Sequence, residues 1–232
     1  MESELFTREN VVKVIDELKK KYPCFVSERH LQTSFTITAA ELFKKQGFEF
    51  IPEFSPDTTS IPEYLRHRYD FNGNEISKRD IHLDLLIKSP DNNNTIIEFK
   101  YKTSQCITTV NGMEVNLGSH EDITNGRYAV WADICRIEKF VLDNNNKLNI
   151  HNGFSVLITN HKSYLAEPRA NTLSAPFSLH KDSGRKKKWP RNSEQSVIRE
   201  NQSPLDFSRD YVLKEEYYNA ALGFKMLIVE IK

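Results

Sequence analysis

Residues 79–102 read RDIHLDLLIKSPDNNNTIIEFKYK. Two short runs rich in branched apolar residues flank the cluster Ser89-Pro90-Asp91-Asn92-Asn93-Asn94. Pro, Asp and Asn at that density are turn chemistry, so the stretch predicts an antiparallel hairpin. Pairing about Asp91 sets Asp84 opposite Glu98, His82 opposite Lys100 and Asp80 opposite Lys102. Alternation then places Glu98, Lys100 and Lys102 on one face and Ile97, Phe99 and Tyr101 on the other. Opposed residues have Cβ atoms about 4.5–5.5 Å apart, and like charges that close repel. Asp84 also sits among Ile and Leu, where a lone carboxylate is costly unless it is paired or metal-bound. With the Phe99 carbonyl, Asp84 and Glu98 form an oxygen-lined set suited to Mg²⁺ or Mn²⁺, with water completing the octahedron. Lys100 beside that ion would position an attacking water and offset charge on a phosphate. The competing reading is an ordinary solvated hairpin face, with Glu98 and Lys100 bridged across the strands.

Outward from the hairpin, Ser27 and Gly47 bracket a helix expected over 28–46, with Leu31, Phe35, Leu42 and Phe43 inward. His30 and Gln32 are expected at its surface. Thr7 caps an earlier helix over 8–21, with Val11, Val14, Ile15 and Leu18 inward and Lys19-Lys20-Lys21 at its end. Residues 48–54 (FEFIPEF) read as a strand, which Pro52 confines to an edge or bend. Residues 55–78 are a long connection in which Arg66, His67 and Arg68 form a basic turn.

The spacing Asp84–x13–Glu98–x–Lys100 resembles the active-site signature of the PD-(D/E)XK nuclease superfamily, with Leu83 where the signature has proline. The resemblance casts Asp84 and Glu98 as metal ligands and Lys100 as the catalytic lysine. The first helix of that family often brings a glutamate to the metal, which points to Glu28. Glu28 reads equally as a residue that complements the positive helix end; Glu41 is the rival glutamate. The segments RYAVWADICRIEKFV and GFSVLITN also resemble bacterial members of the superfamily, so the likeness spans roughly residues 28–160. It implies an α/β fold with a restriction endonuclease-like mixed central sheet flanked by helices.

After the hairpin, Asn111-Gly112 marks a second tight hairpin, read as an excursion of the sheet beside the site. Residues 127–142 predict a helix with Val130, Ile134, Ile137 and Val141 buried, in which Asp133 and Arg136 read as a supporting i,i+3 pair. Residues 153–160 suit a central strand covered on both faces, reached through that crossover helix. Residues 166–209 turn to Pro, Ser, Asn and Lys, a connection too long to be incidental. Within it, KDSGRKKKWPR (181–191) has six basic residues against one acid. Arg185, Lys186, Lys187 and Lys188, with Lys102, are the expected contacts to a phosphate backbone, and Trp189 a base-stacking ring. The competing reading is a solvated loop. A short helix over 213–221 and a last strand over 224–231 at the sheet edge are expected to close the chain.

With 232 residues and 14 Phe, the chain can bury a core, and one domain over 1–232 is expected. Lys plus Arg equals Asp plus Glu at 32 each, so any nucleic-acid surface must be local. No run approaches the roughly 18 apolar residues of a membrane span. The N-terminus lacks a secretory core, and three scattered cysteines have no zinc spacing; a soluble cytoplasmic protein is expected. No Walker loop, GxGxxG, GxSxG or HExxH motif is present. The expected activity is metal-dependent phosphodiester hydrolysis of nucleic acid, DNA first, and double-strand cleavage would call for a homodimer. Two alternatives stand beside it. One is a catalytically silent nuclease-fold module that binds DNA or assembles with a protein partner. The other is an interaction protein whose 166–209 segment folds on its partner.

Overall fold

A computed structural model describes residues 5–69, 75–78, 80–143, 147–172, 174–180 and 205–232. In chain order the elements are α1 (Arg8–Lys21), α2 (Glu28–Leu42), β1 (Glu49–Phe54), β2 (His67–Tyr69), β3 (Glu75–Lys78), β4 (Leu83–Lys88), β5 (Asn94–Lys102), β6 (Cys106–Val110), β7 (Met113–Leu117), α3 (Ile123–Leu142), β8 (Ile150–Thr159), α4 (Lys162–Leu165), β9 (Glu215–Asn219) and β10 (Phe224–Ile231). The expected mixed α/β architecture is present: a six-stranded sheet ordered β1-β4-β5-β8-β10-β9, flanked by helices. β5 and β8 run parallel, and every other neighbouring pair in the sheet is antiparallel. A parallel pair needs a crossover, and α3 lies in it.

Alternation along the strands divides the core into two layers. Ile96, Leu157, Leu227 and Val229 pack with Val130, Ile134 and Ile137 of α3. Ile97, Phe99, Val156 and Ile158 pack with α1 and α2 through Val14, Leu18, Leu31 and Phe35. β8 is covered on both faces, as its continuous apolar run requires. Thr7 and Ser27 cap as expected, their side chains accepting the backbone N–H of Asn10 and His30; α3 begins at Ile123, before the expected 127, because the Asp122 side chain accepts the Asn125 N–H and starts it there. Gly47 takes a left-handed φ of +76° and ends the helical region. α2 itself stops at Leu42, and a 3-10 turn spans Lys44–Gln46. Pro52 lies on β1, an outer strand, where its missing N–H is tolerated. Asn111 and Gly112 both have positive φ, as a two-residue hairpin turn demands.

Several expectations are corrected. Residues 215–219 form a strand, not a helix: paired tyrosines favour a pleated edge, and β10 offers hydrogen bonds to it. β10 is consequently an inner strand, and β9 is the edge. β6 and β7 form their own two-stranded sheet rather than extending the main one. Val141 is only partly buried. The 166–209 connection is docked at both ends, because Phe177, Leu179, Leu205 and Phe207 join the core layer under α3. Residues 181–204, with Arg185, Lys186, Lys187, Lys188 and Trp189, lie outside the described residues.

Glu138 anchors the returning end of that connection. Its buried carboxylate accepts the Tyr211 hydroxyl at 2.7 Å and the Ser208 N–H at 2.9 Å. Glu138→Ala removes the acceptor of both groups; Ser208 is exposed and can turn to water, so a loss of about 1–3 kcal/mol, the cost at one buried group, is expected in urea unfolding. A loss within error of zero would show that the segment is not held there. None of the described helices is long and apolar enough to cross a membrane. All three cysteines are free, with Cys24 and Cys135 buried.

Candidate active site

The hairpin forms in the expected register, but its ladder stops early. Leu85 pairs with Ile97, Leu86 with Ile96 and Ile87 with Thr95, and no pairing follows toward the open end. Leu83 keeps a partner only on the other edge of β4, where it pairs with Phe54 on β1. The expected pairs of Asp84 with Glu98, His82 with Lys100 and Asp80 with Lys102 are therefore absent from the ladder. The strands part at Asp84 and Glu98, leaving the next β5 backbone groups on the edge that faces β4 without a strand partner, while the other edge stays paired with β8. Buried backbone donors and acceptors need partners, and side chains supply them here. The Asp84 carboxylate accepts the Phe99 N–H at 2.7 Å, and Glu28, at the start of α2, accepts the Tyr101 N–H at 2.9 Å. The Lys100 amine donates to the Phe99 carbonyl at 2.9 Å. The Gln32 amide donates to the Asp84 carbonyl. Gln32 is thus buried beneath the fork, contrary to its expected surface place.

α3 closes the fork from its own face of the sheet. Asp133 Oδ2 lies 2.8 Å from Lys100 Nζ, and Asp133 Oδ1 lies 2.8 Å from Arg136. Arg136 also lies 2.8 Å from Glu98, and Lys100 lies 3.9 Å from Glu28. Asp133 and Arg136, expected only to support the helix, are members of the cluster. Their i,i+3 spacing on a helix that covers β5 was the available signal. Sequence alone could not say which β5 residues would meet them.

Four acids (Glu28, Asp84, Glu98, Asp133) face two bases (Lys100, Arg136), a formal charge of −2. Glu98 is 1% exposed, and neither of its oxygens receives an aligned hydrogen bond, although Arg136 lies close. Burial pushes Asp84 upward, opposed chiefly by Lys100, and pushes Glu98 well above the carboxylate range, opposed chiefly by Arg136. Burial alone would lower Lys100, but Asp133, Glu28, Asp84 and Glu98 together outweigh it and hold the amine above its usual value. Arg136 is raised by the same balance, with Glu98 its largest partner.

The raised Glu98 carboxyl has a signed consequence for stability. It keeps a proton that the unfolded chain releases, so native stability falls as pH climbs above the ordinary value of 4.5. Glu98→Gln should therefore gain stability relative to the parent protein between mildly acidic and neutral pH, measured by urea midpoints with a chelator present. Parallel curves would show that Glu98 is ionised throughout.

Among the described residues, no three His, Cys, Asp or Glu side chains converge on a point that could hold a metal. An ion would be held by two carboxylates, Asp84 and Glu98, with the Phe99 carbonyl and water. That donor set fits a hard cation on three counts: it is all oxygen, its surroundings are net negative, and the buried oxygens of Glu98 lack aligned donors. Arg136 is the protein's own competing cation.

The remaining candidates lie elsewhere. Glu41 pairs with Lys21 at 3.7 Å, and His67 lies 2.7 Å from Glu75. Arg66 donates to the Ile61 carbonyl at 2.7 Å. His30 accepts the Val26 N–H at 3.2 Å and packs edge-on against Tyr22. Lys102 is partly exposed two residues beyond Lys100, on the same face. Comparison of the chain with protein-family models, with curated proteins and with solved structures finds no match in any of the three.

Proposed function

We propose that the fork between β4 and β5 is the active site of a metal-dependent nuclease of the PD-(D/E)XK type, acting on nucleic acid and on DNA first. One observation carries the reading: where the ladder ends, Asp84, Glu98, Lys100 and the Phe99 carbonyl meet in a net-negative cluster that still has unpartnered buried oxygens. In this reading Asp84 and Glu98 hold Mg²⁺ or Mn²⁺. When bound, such an ion lowers the pKa of a coordinated water and takes up charge on the scissile phosphate. Lys100, kept cationic by its acid neighbours, positions the attacking water and stabilises charge on the phosphate oxygens. Asp133 fixes the lysine amine from α3, and Glu28 ties the start of α2 to β5. Cutting both strands of a duplex would bring two copies of the chain together.

A second reading has its own observation. Arg136 sits against Glu98, and Lys100 against Asp133, so the protein's own cations could keep the cluster closed to metal. The fold would then serve as a silent module binding DNA or a protein partner. Cleavage of plasmid and single-stranded DNA with Mg²⁺ or Mn²⁺ separates the two. The active reading expects cleavage that a chelator stops and that Lys100→Met lowers by about 100- to 1,000-fold. DNA binding without any cleavage in either metal would favour the silent module.

A further inference from the structure

Beyond the acid cluster, four residues line up across the sheet. Lys102 on β5 is the register partner of Thr159 on β8, Thr159 of Lys225 on β10, and Lys225 of Tyr217 on β9. Register partners project from the same face, and this is the face that carries Glu98 and Lys100. The row therefore leaves the fork and runs to the edge of the sheet. Three strand spacings cover about 14 Å, which is about four base steps of a duplex strand.

A cleft of about 530 Å³ opens along the outer half of this row, with Thr159, His161, Lys162, Tyr217, Gly223 and Lys225 among its walls. Its volume suits a nucleotide-sized ligand, for which pockets of roughly 300–1,000 Å³ are usual. Tyr217 is 61% exposed on the edge strand, and the Lys225 amine lies 5.7 Å from its ring centroid. Gly223, also on the wall of the cleft, has open space where a side chain would stand. The electrostatics discriminate among ligands. Lys225 is bonded to Glu215 at 2.9 Å, and Glu167 also lines the cleft, so the amines here are largely balanced by acids. A polyphosphate would meet those acids. An unpaired nucleotide, with an aromatic face and one phosphate, would not need more charge than Lys102 and Lys162 supply.

We propose that this row and cleft hold unpaired nucleotides of the strand being cut, with a base stacked on Tyr217 and the backbone passing Lys225 and Lys102 toward Lys100. The substrate class rests on the nuclease reading; the cleft and its ring do not. Stacking on an exposed aromatic is sequence-tolerant and worth about 1–3 kcal/mol per base.

The test is fluorescence polarisation of labelled oligothymidine with the full-length protein in chelator, alongside a Mn²⁺ titration of the same preparations. Wild type is expected to bind the oligonucleotide, Tyr217→Ala to weaken it by about 5- to 100-fold, and Tyr217→Phe to keep wild-type affinity. Val212→Ala, at a residue 87% exposed and off the row, controls for surface changes and is expected to bind as wild type. Mn²⁺ affinity should be unchanged in Tyr217→Ala. Oligonucleotide binding that ignores Tyr217→Ala, or no binding by wild type, overturns the proposal. Wild type that binds Mn²⁺ but no oligonucleotide defeats the cleft and leaves the metal site standing. Tyr217-dependent binding without Mn²⁺ binding does the reverse.

Discussion

Asp84→Ala is expected to lower metal-dependent cleavage by about 1,000-fold, the scale on which one preorganised electrostatic group acts at a transition state. The substitution removes a carboxylate from the proposed ion and, with it, the acceptor of the Phe99 N–H. Asp84→Asn separates these losses, because its amide oxygen can still accept that N–H while the charge is gone. Both variants should therefore lose cleavage, whereas Asp84→Asn should stay closer to wild type in thermal unfolding. If Asp84→Asn cleaves as fast as wild type, the aspartate charge has no part in catalysis.

The second large effect is expected at Arg136. Arg136→Met leaves Glu98 without its close cation and takes one of two from Asp133, in a region where both acids are almost wholly inaccessible. Removing one partner of a buried ionic pair costs about 3–5 kcal/mol. For a chain of this length that corresponds to a fall of roughly 6–20 °C in Tm. Adding Glu98→Gln to Arg136→Met should recover much of the loss, because an amide spares the cost of keeping an unpaired buried carboxyl protonated; groups in contact are not additive. Mn²⁺ should raise the Tm of Arg136→Met more than that of wild type, since the ion replaces the missing cation. An Arg136→Met protein that melts at the wild-type temperature would show that the guanidinium does not hold the cluster together.

The hairpin was legible because turn residues and period-two alternation coincide in residues 79–102, and the register about Asp91 follows from their symmetry. Its end was not legible. Leu83 satisfies the pattern of a longer strand as well as Leu85 does, and it still pairs with Phe54 on β1; only the course of β5 shows that the β4–β5 ladder stops at Leu85. That opening turns Glu28 and Gln32 from helix-surface residues into partners of the β4–β5 backbone. Asp133 and Arg136 were visible as a pair but not as neighbours of Lys100 and Glu98, because that contact depends on how α3 lies across β5. The C-terminal strand β9 was missed because a five-residue edge strand with two tyrosines carries no long-range signal of its own until β10 is placed beside it. The two core layers, by contrast, follow directly from alternation in β5, β8 and β10.

The most direct measurement is a calorimetric titration of the metal-free chain with Mn²⁺ near neutral pH, run side by side with Asp84→Ala and Glu98→Gln. A saturable site in wild type, weakened about 100-fold or more in each variant, is the expected result. Wild type that takes up no Mn²⁺, or variants that bind it as tightly as wild type, would contradict the assignment of the β4–β5 fork as a metal-dependent active site.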